Sequence, residues 1–236
     1  MDPRLRPLFE ATTRPFAAAG RYARHFARGK LRHDPVFFAL LRRGLLPDRG
    51  RLLDLGCGQG ILMALLAAAT QQVRAGRWPE GWPAPPSRLE MHGIELREAQ
   101  VRIARQALGN TATVELRDIR EAKFPVCSVV VILDVLFYLD DAAQRQVLER
   151  AAAALEPGGL LLLREADAGA GFPFQVTQWA ERIAAVGRGR LWQDLHYRDA
   201  GQWLTLLKGY GFAVTAEPMS EGTPFANVLF VARQRL

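Results

Sequence analysis

Arg51-Leu52-Leu53-Asp54-Leu55-Gly56-Cys57-Gly58-Gln59-Gly60 decides how this chain folds. Leu52, Leu53 and Leu55 form the apolar body of a strand expected mid-sheet. Glycines follow at alternate positions, 56, 58 and 60, where a side chain would block a ligand or strain the backbone. The apolar run from Ile61 to Ala69 then starts a helix whose first turn lies under whatever the glycine turn holds. A strand, a glycine turn and a helix at the head of an α/β domain make a nucleotide-type site. The spacing narrows the ligand. A dinucleotide fingerprint needs a glycine at position 61, which is Ile61, and the phosphate loop's Gly-Lys-Ser/Thr is absent.

Outward from this turn the pattern alternates. Strands are expected at 90–96, 112–117, 128–133 and 160–164, with helices at 97–108 and 141–155 between them. Pro157-Gly158-Gly159 reads as a turn before the fifth strand. Helices near 174–186 and 199–209 precede two closing strands at 212–217 and 225–233. The stretch 74–88, rich in Pro, Gly and Trp, is an insertion loop whose tryptophans cover apolar surface. The expected fold is α/β: a doubly wound, mostly parallel seven-stranded sheet with an antiparallel C-terminal hairpin. Residues 1–46 form an N-terminal helical lid and 47–236 the main domain.

The 236 residues suffice for one enzyme-sized domain with a large core. No apolar run reaches the ~18 residues of a membrane span, and the N-terminus shows no secretory h-region. A cytoplasmic, non-transmembrane protein is expected. Cys57 and Cys127, the two cysteines, read as small buried free thiols. No metal site is expected.

The formal net charge of +7 lies wholly in residues 1–50, which hold eleven Arg/Lys and four Asp/Glu. Residues 14–28 show a two-sided helical pattern, with Phe16, Ala19, Ala23, Phe26 and Ala27 opposite Arg14, Arg21, Arg24 and Arg28. Tyr22 and His25 lie at the borders, where they could face a pocket. Gly29 to Pro35 reads as a turn, with Asp34 capping a helix over 36–43. A surface helix or a cationic lid meeting an acidic partner both fit.

Four acids fall at strand ends: Asp54 before the first glycine, Glu95, Asp118 and Asp134. In an open α/β sheet those ends rim one ligand crevice. This set, in this order, resembles the class I S-adenosylmethionine (SAM) methyltransferases over about residues 45–165. The resemblance implies a Rossmann-like methyltransferase fold with SAM as cofactor. It implies that Gly56, Cys57, Gly58 and Gly60 let the backbone approach the methionine part, with Asp54 near its ammonium. It places Glu95 on the ribose hydroxyls with Leu96 beside it, Asp118 on the adenine amino group and Ile119 against the ring. Asp134, opening the segment Leu133 to Leu139, would stand beside the transferred methyl.

Methyl transfer from a sulfonium expels a neutral thioether, so no acid is required. A base is needed only for a protonated nucleophile such as a phenol or carboxylic acid. Candidates are His196, Tyr138, Tyr22, His25 and Glu165, with His196 and Tyr138 as catalytic choices. Tyr22, His25, Tyr138, Glu165, His196 and Tyr197 are the expected substrate contacts. Strand four lacks the Asn/Asp-Pro-Pro-aromatic ending of enzymes that methylate base or amide nitrogens, and no appended RNA-binding fold is evident, so nucleic acid is disfavoured. The segments 29–41 and 222–232 are similar to stand-alone bacterial methyltransferases of aryl-polyene or polyketide-type biosynthesis. That resemblance implies a small aromatic or acyl acceptor, free or on an acidic acyl carrier protein docked at the basic helix. An RNA or membrane-quinone methyltransferase, or a non-catalytic SAM-binding regulator, are the alternatives.

Overall fold

The glycine turn leaves the end of β1 (Arg49–Leu55) and enters α4 (Ile61–Arg74). Leu52, Leu53 and Leu55 are fully buried, as a mid-sheet strand requires. The computed structural model describes residues 2–187 and 194–235; the side chains of 180–187 are outside the description. Gln193, three residues before His196, also lies outside the described residues.

Seven strands form one sheet in the order β3-β2-β1-β4-β5-β7-β6. Strand β2 (Arg88–Glu95) runs parallel to β1, and β3 (Thr113–Leu116) parallel to β2. Strand β4 (Cys127–Leu133) is an apolar run buried almost throughout. Strands β5 (Leu155–Ala166) and β6 (Phe212–Pro218) both pair antiparallel with β7 (Asn227–Gln234). The doubly wound α/β sheet with its antiparallel closing pair is as expected.

The chain divides into two compact units, residues 1–129 and 130–236. The first holds α1 (Arg6–Thr13), α2 (Arg21–His33), α3 (Val36–Arg42), α4 and α5 (Glu98–Leu108), with β1 to β3. Helix α1 packs on α4. The second holds α6 (Asp141–Ala154), α7 (Phe172–Gly187) and α8 (Ala200–Gly209), with β5 to β7. No described helix is long and apolar enough to cross a membrane.

Local chemistry redraws several expected boundaries. The helix expected over 14–28 breaks at Gly20 (φ 106°), and residues 15–17 form a 3-10 turn. The register restarts there, so Phe26 is 42% exposed instead of buried with Phe16. Helix α2 continues through Gly29 to His33, replacing the expected turn. Asp34 Oδ1 still accepts from Val36 N at the next helix start. Pro157-Gly158-Gly159 lies inside β5, which begins directly after α6. Trp78 and Trp82 of the insertion loop meet edge to face at 5.8 Å, and Trp82 also meets Phe38. Cys57 is half-buried, Cys127 buried, and both are free thiols.

Candidate cofactor and acceptor sites

In the first unit Gly56, Gly58 and Gly60 all have positive φ, at 74°, 57° and 76°. Only glycine adopts three such angles at alternate positions without strain. The turn presses on β2. A Cβ on Gly93 would come within 2.6 Å of Cys57 Sγ, and one on Gly60 within 2.7 Å of Leu108 Cδ1. At Gly58, by contrast, a Cβ would meet nothing within 4 Å, so the turn is packed below and open above.

Two carboxyls flank this turn. Asp54 is 4% exposed, and its side chain makes no hydrogen bond or ion pair with the described residues. Burial, then the neighbouring Glu95, push its carboxyl up to about 7. Glu95 is 5% exposed. Its Oε2 accepts from Gly58 N at 3.0 Å, and its Oε1 accepts from Arg97 N at 2.9 Å and Arg97 Nε at 3.0 Å. Oε2, with one donor, retains lone-pair capacity for a further donor, whereas both sites of Oε1 are taken by Arg97. Leu96 beside it is 52% exposed. After β3, Asp118 is clasped by Arg120, through the backbone N–H at 2.8 Å and the guanidinium, which holds its carboxyl below the usual range. Ile119 is buried.

The expected lid residues occupy the outward side of α2. Tyr22 is 69% exposed and stacks on Phe26 with centroids 6.3 Å apart; His25 is also exposed. Ala23, Ala27 and Leu31 form the buried side. Arg28 is not part of an outward cationic face. Its guanidinium meets both oxygens of Glu10, at 2.8 and 3.0 Å, and covers the Phe9 ring, tying α2 to α1.

In the second unit β4 ends at Asp134, the one described non-glycine residue with positive φ (59°). Asp tolerates this region because its short side chain bonds locally. Here the carboxylate is taken by Arg164 of β5, a guanidinium with 1% exposure. Glu165, the next residue, is 1% exposed. Its Oε1 accepts from Val135 N at 3.2 Å and Leu136 N at 2.7 Å, while Oε2 has no partner. Burial first, then the Asp134 charge, push its carboxyl up to about 8, against the pull of these amides.

Tyr138 lies in a 3-10 turn, Leu136–Tyr138, with its ring 4.3 Å from that of Phe137. The segment 194–199 runs along this turn: His196 N donates to Phe137 O at 2.8 Å, and the Tyr197 ring stacks on Phe137 at 5.1 Å. Phe174 of α7 meets Tyr197 edge to face at 4.9 Å. The His196 imidazole is half-buried and makes no hydrogen bond or ion pair with the described residues. His196, Tyr197 and Tyr138 are therefore together in one aromatic wall. Glu165 is fixed behind the turn that carries Tyr138.

The model of a methyltransferase-domain family matches residues 23–217, most of the chain. This chain belongs to the methyltransferase-domain family. It is 31% identical over 132 residues to carboxy-S-adenosyl-L-methionine synthase of Chromohalobacter salexigens, which covers 52% of this chain and 44% of that protein. Among solved structures, an O-methyltransferase family protein from Burkholderia thailandensis superposes with a TM-score of 0.65 at 16% identity, over 89% of this chain and 57% of its own. An O-methyltransferase from neocarzinostatin biosynthesis, solved with SAM and 2-hydroxy-5-methyl naphthoic acid, gives 0.59 at 21%, over 89% and 55%. These likenesses show the class I SAM-dependent methyltransferase fold. This chain spans about half the length of these relatives.

The residues of this methyltransferase domain fit SAM. An open glycine turn can admit the methionine end. A buried carboxyl without a protein cation suits an ammonium, because an isolated buried charge is costly until paired. Sequence reasoning missed the arginines that hold the acids: Arg97, Arg120 and Arg164. Arg164 alone left a signal, a charge inside the run Leu160 to Ala166.

Proposed function

We propose that this chain is a SAM-dependent methyltransferase whose acceptor is a small aromatic or acyl molecule. The carrying observation is the Asp54 carboxyl, which has no cationic partner among the described residues, beneath a glycine turn that is open at Gly58. Asp54 would hold the ammonium and Glu95 the ribose hydroxyls, which a carboxylate accepts bidentately. Asp118 and Ile119 would hold the adenine, with Leu96 beside the ribose. When bound, SAM supplies an electrophilic methyl group on a sulfonium that leaves as a neutral thioether.

On the acceptor side we assign Phe137, Tyr138, Tyr197 and His196. Stacked and edge-on rings offer a planar acceptor a wall of matching shape and exclude water from it. The His196 imidazole, without a partner among the described residues, is the group placed to take a proton from a phenol or acid. Asp134, pinned by Arg164, shapes the turn instead of meeting the methyl directly. Tyr22 and His25, exposed on the outer side of α2, would be further contacts of the acceptor. That side carries Arg21, Arg24 and Arg32 and suits an acidic acyl carrier delivering a tethered acceptor in the cytoplasm.

The test is transfer of label from methyl-labelled SAM to salicylic acid, 3-hydroxy-2-naphthoic acid and carrier-bound hydroxyaryl thioesters. Turnover of at least one, lost in His196→Ala, supports the reading. SAM binding with no transfer to any of them supports a non-catalytic binding protein.

A further inference from the structure

Gln144, on the first turns of α6, has no sequence pattern to mark it and belongs to none of the assignments above. It is fully buried. Its Nε2 lies within donating distance of three main-chain carbonyls: Leu136 at 3.1 Å, Leu139 at 3.0 Å and His196 at 2.9 Å. Its Oε1 accepts from Arg198 Nε at 2.7 Å. One amide thus spans the 3-10 turn that carries Phe137 and Tyr138 and the segment that carries His196 and Tyr197.

The surroundings reinforce the bracket. The Arg198 guanidinium lies over the Trp203 ring at 5.5 Å, and its Nη2 is 3.0 Å from Asp141 Oδ1. Arg198 O accepts from Ala168 N, and Ala200 N donates to Asp167 Oδ1 at 2.9 Å. The segment 194–200 is therefore fastened at its C-terminal end, at Arg198 and Ala200. In its middle, His196 is fixed by its own N–H to Phe137 O and by its carbonyl to Gln144.

Only a carboxamide of this length satisfies both sides. A glutamate would place acceptor oxygens against three carbonyls and leave them without a donor. A leucine would remove the amide from the Leu139 and His196 carbonyls and from Arg198 Nε in a dry interior, while Leu136 O would keep the Leu139 N–H; each group so orphaned costs about 1–3 kcal/mol. A cluster this buried is either fully satisfied or misplaced.

We propose that Gln144 is the positioning residue of the acceptor side: its amide sets the spacing between the Leu136–Tyr138 turn and the 194–199 segment, and so where His196, Tyr197 and Tyr138 stand toward the acceptor. This rests on the acceptor assignment above. Gln144 touches no reacting group itself and acts through the two segments it joins.

The full chain is compared with Gln144→Glu, which keeps the side-chain shape and the acceptor for Arg198, and with Gln144→Leu. Three properties are read: amide hydrogen exchange at His196, the ring-proton shifts of Tyr197, and S-adenosylhomocysteine affinity by calorimetry. In Gln144→Glu the His196 amide should exchange about tenfold faster or more, as local opening predicts. The Tyr197 ring protons should lose the upfield shift imposed by the stacked Phe137 ring. S-adenosylhomocysteine affinity should stay within about twofold, because sites without shared partners are nearly independent. Unchanged His196 exchange and Tyr197 shifts in Gln144→Glu would overturn the proposal, even with a lowered melting temperature. A wild-type chain that does not bind S-adenosylhomocysteine would instead overturn the cofactor reading, leaving the His196 and Tyr197 measurements to decide this one.

Discussion

Asp134 and Arg164 form a pair in which each explains the other's unusual position. Asp134 takes a left-handed backbone angle at the end of β4, and its N–H donates to Arg164 O at 2.9 Å. Its carboxylate pairs with the Arg164 guanidinium, which is buried within β5's apolar run beside Glu165. Breaking such a pair from one side leaves an uncompensated buried charge. We expect Asp134→Ala to lower unfolding stability by about 3–5 kcal/mol in urea titration. The double variant Asp134→Asn/Arg164→Met should lose less than the sum of its single changes. A full sum would show that the two groups do not interact.

The buried carboxyls set a pH dependence of stability. Asp54, raised to about 7, and Glu165, raised to about 8, keep protons in the folded chain that an unfolded chain has lost. The folded state therefore binds more protons above the ordinary carboxyl range, and stability falls as pH rises toward 8. Melting temperature should decline between about pH 5 and 8 and the slope should be shallower in Glu165→Gln, which keeps an oxygen for the Val135 and Leu136 amides. An unchanged slope in that variant would place the titration elsewhere.

The backbone was more legible in the sequence than the wiring of its acids. Leu52 to Gly60 declared strand, turn and helix because apolar period and glycine spacing are local signals. Glu95 and Asp118 were visible as acids ending strands. Their arginine partners were not, because a strand-end acid looks the same whether it faces a ligand or its own neighbour. Gln144 was invisible for a different reason: its partners His196 and Arg198 lie 52 and 54 residues away. Helix α1 was not singled out within the helical segment 1–46; its Pro7 falls in the first turn, where its missing N–H costs nothing.

The N-terminal arginines separate into two roles. Arg28 is structural: Arg28→Ala should cost about 0.5–1 kcal/mol through loss of the Glu10 pair and the Phe9 contact. Replacing Arg21, Arg24 and Arg32 with glutamine should leave stability within about 0.5 kcal/mol, as expected for exposed positions. If a carrier docks there, the triple variant should raise KM for a carrier-bound acceptor and leave the free acceptor's KM unchanged. Equal effects on both acceptors would remove α2 as a docking face.

Cofactor affinity should follow the protonation of Asp54. Its carboxylate can pair with an ammonium only when ionised, so S-adenosylhomocysteine affinity should climb with pH below about 7 and level off above it. Asp54→Asn should flatten that profile. A flat wild-type profile would remove Asp54 from the contact.

The central claim is that the turn of Gly56, Gly58 and Gly60, with Glu95 beside it, holds SAM. Its most direct test is calorimetric titration of the wild-type chain and Glu95→Ala with S-adenosylhomocysteine. The account predicts binding by the wild type and a loss of about tenfold to a hundredfold in the variant, the worth of a charged acceptor's hydrogen bonds. No heat of binding in the wild type, or equal affinity in Glu95→Ala, would contradict it.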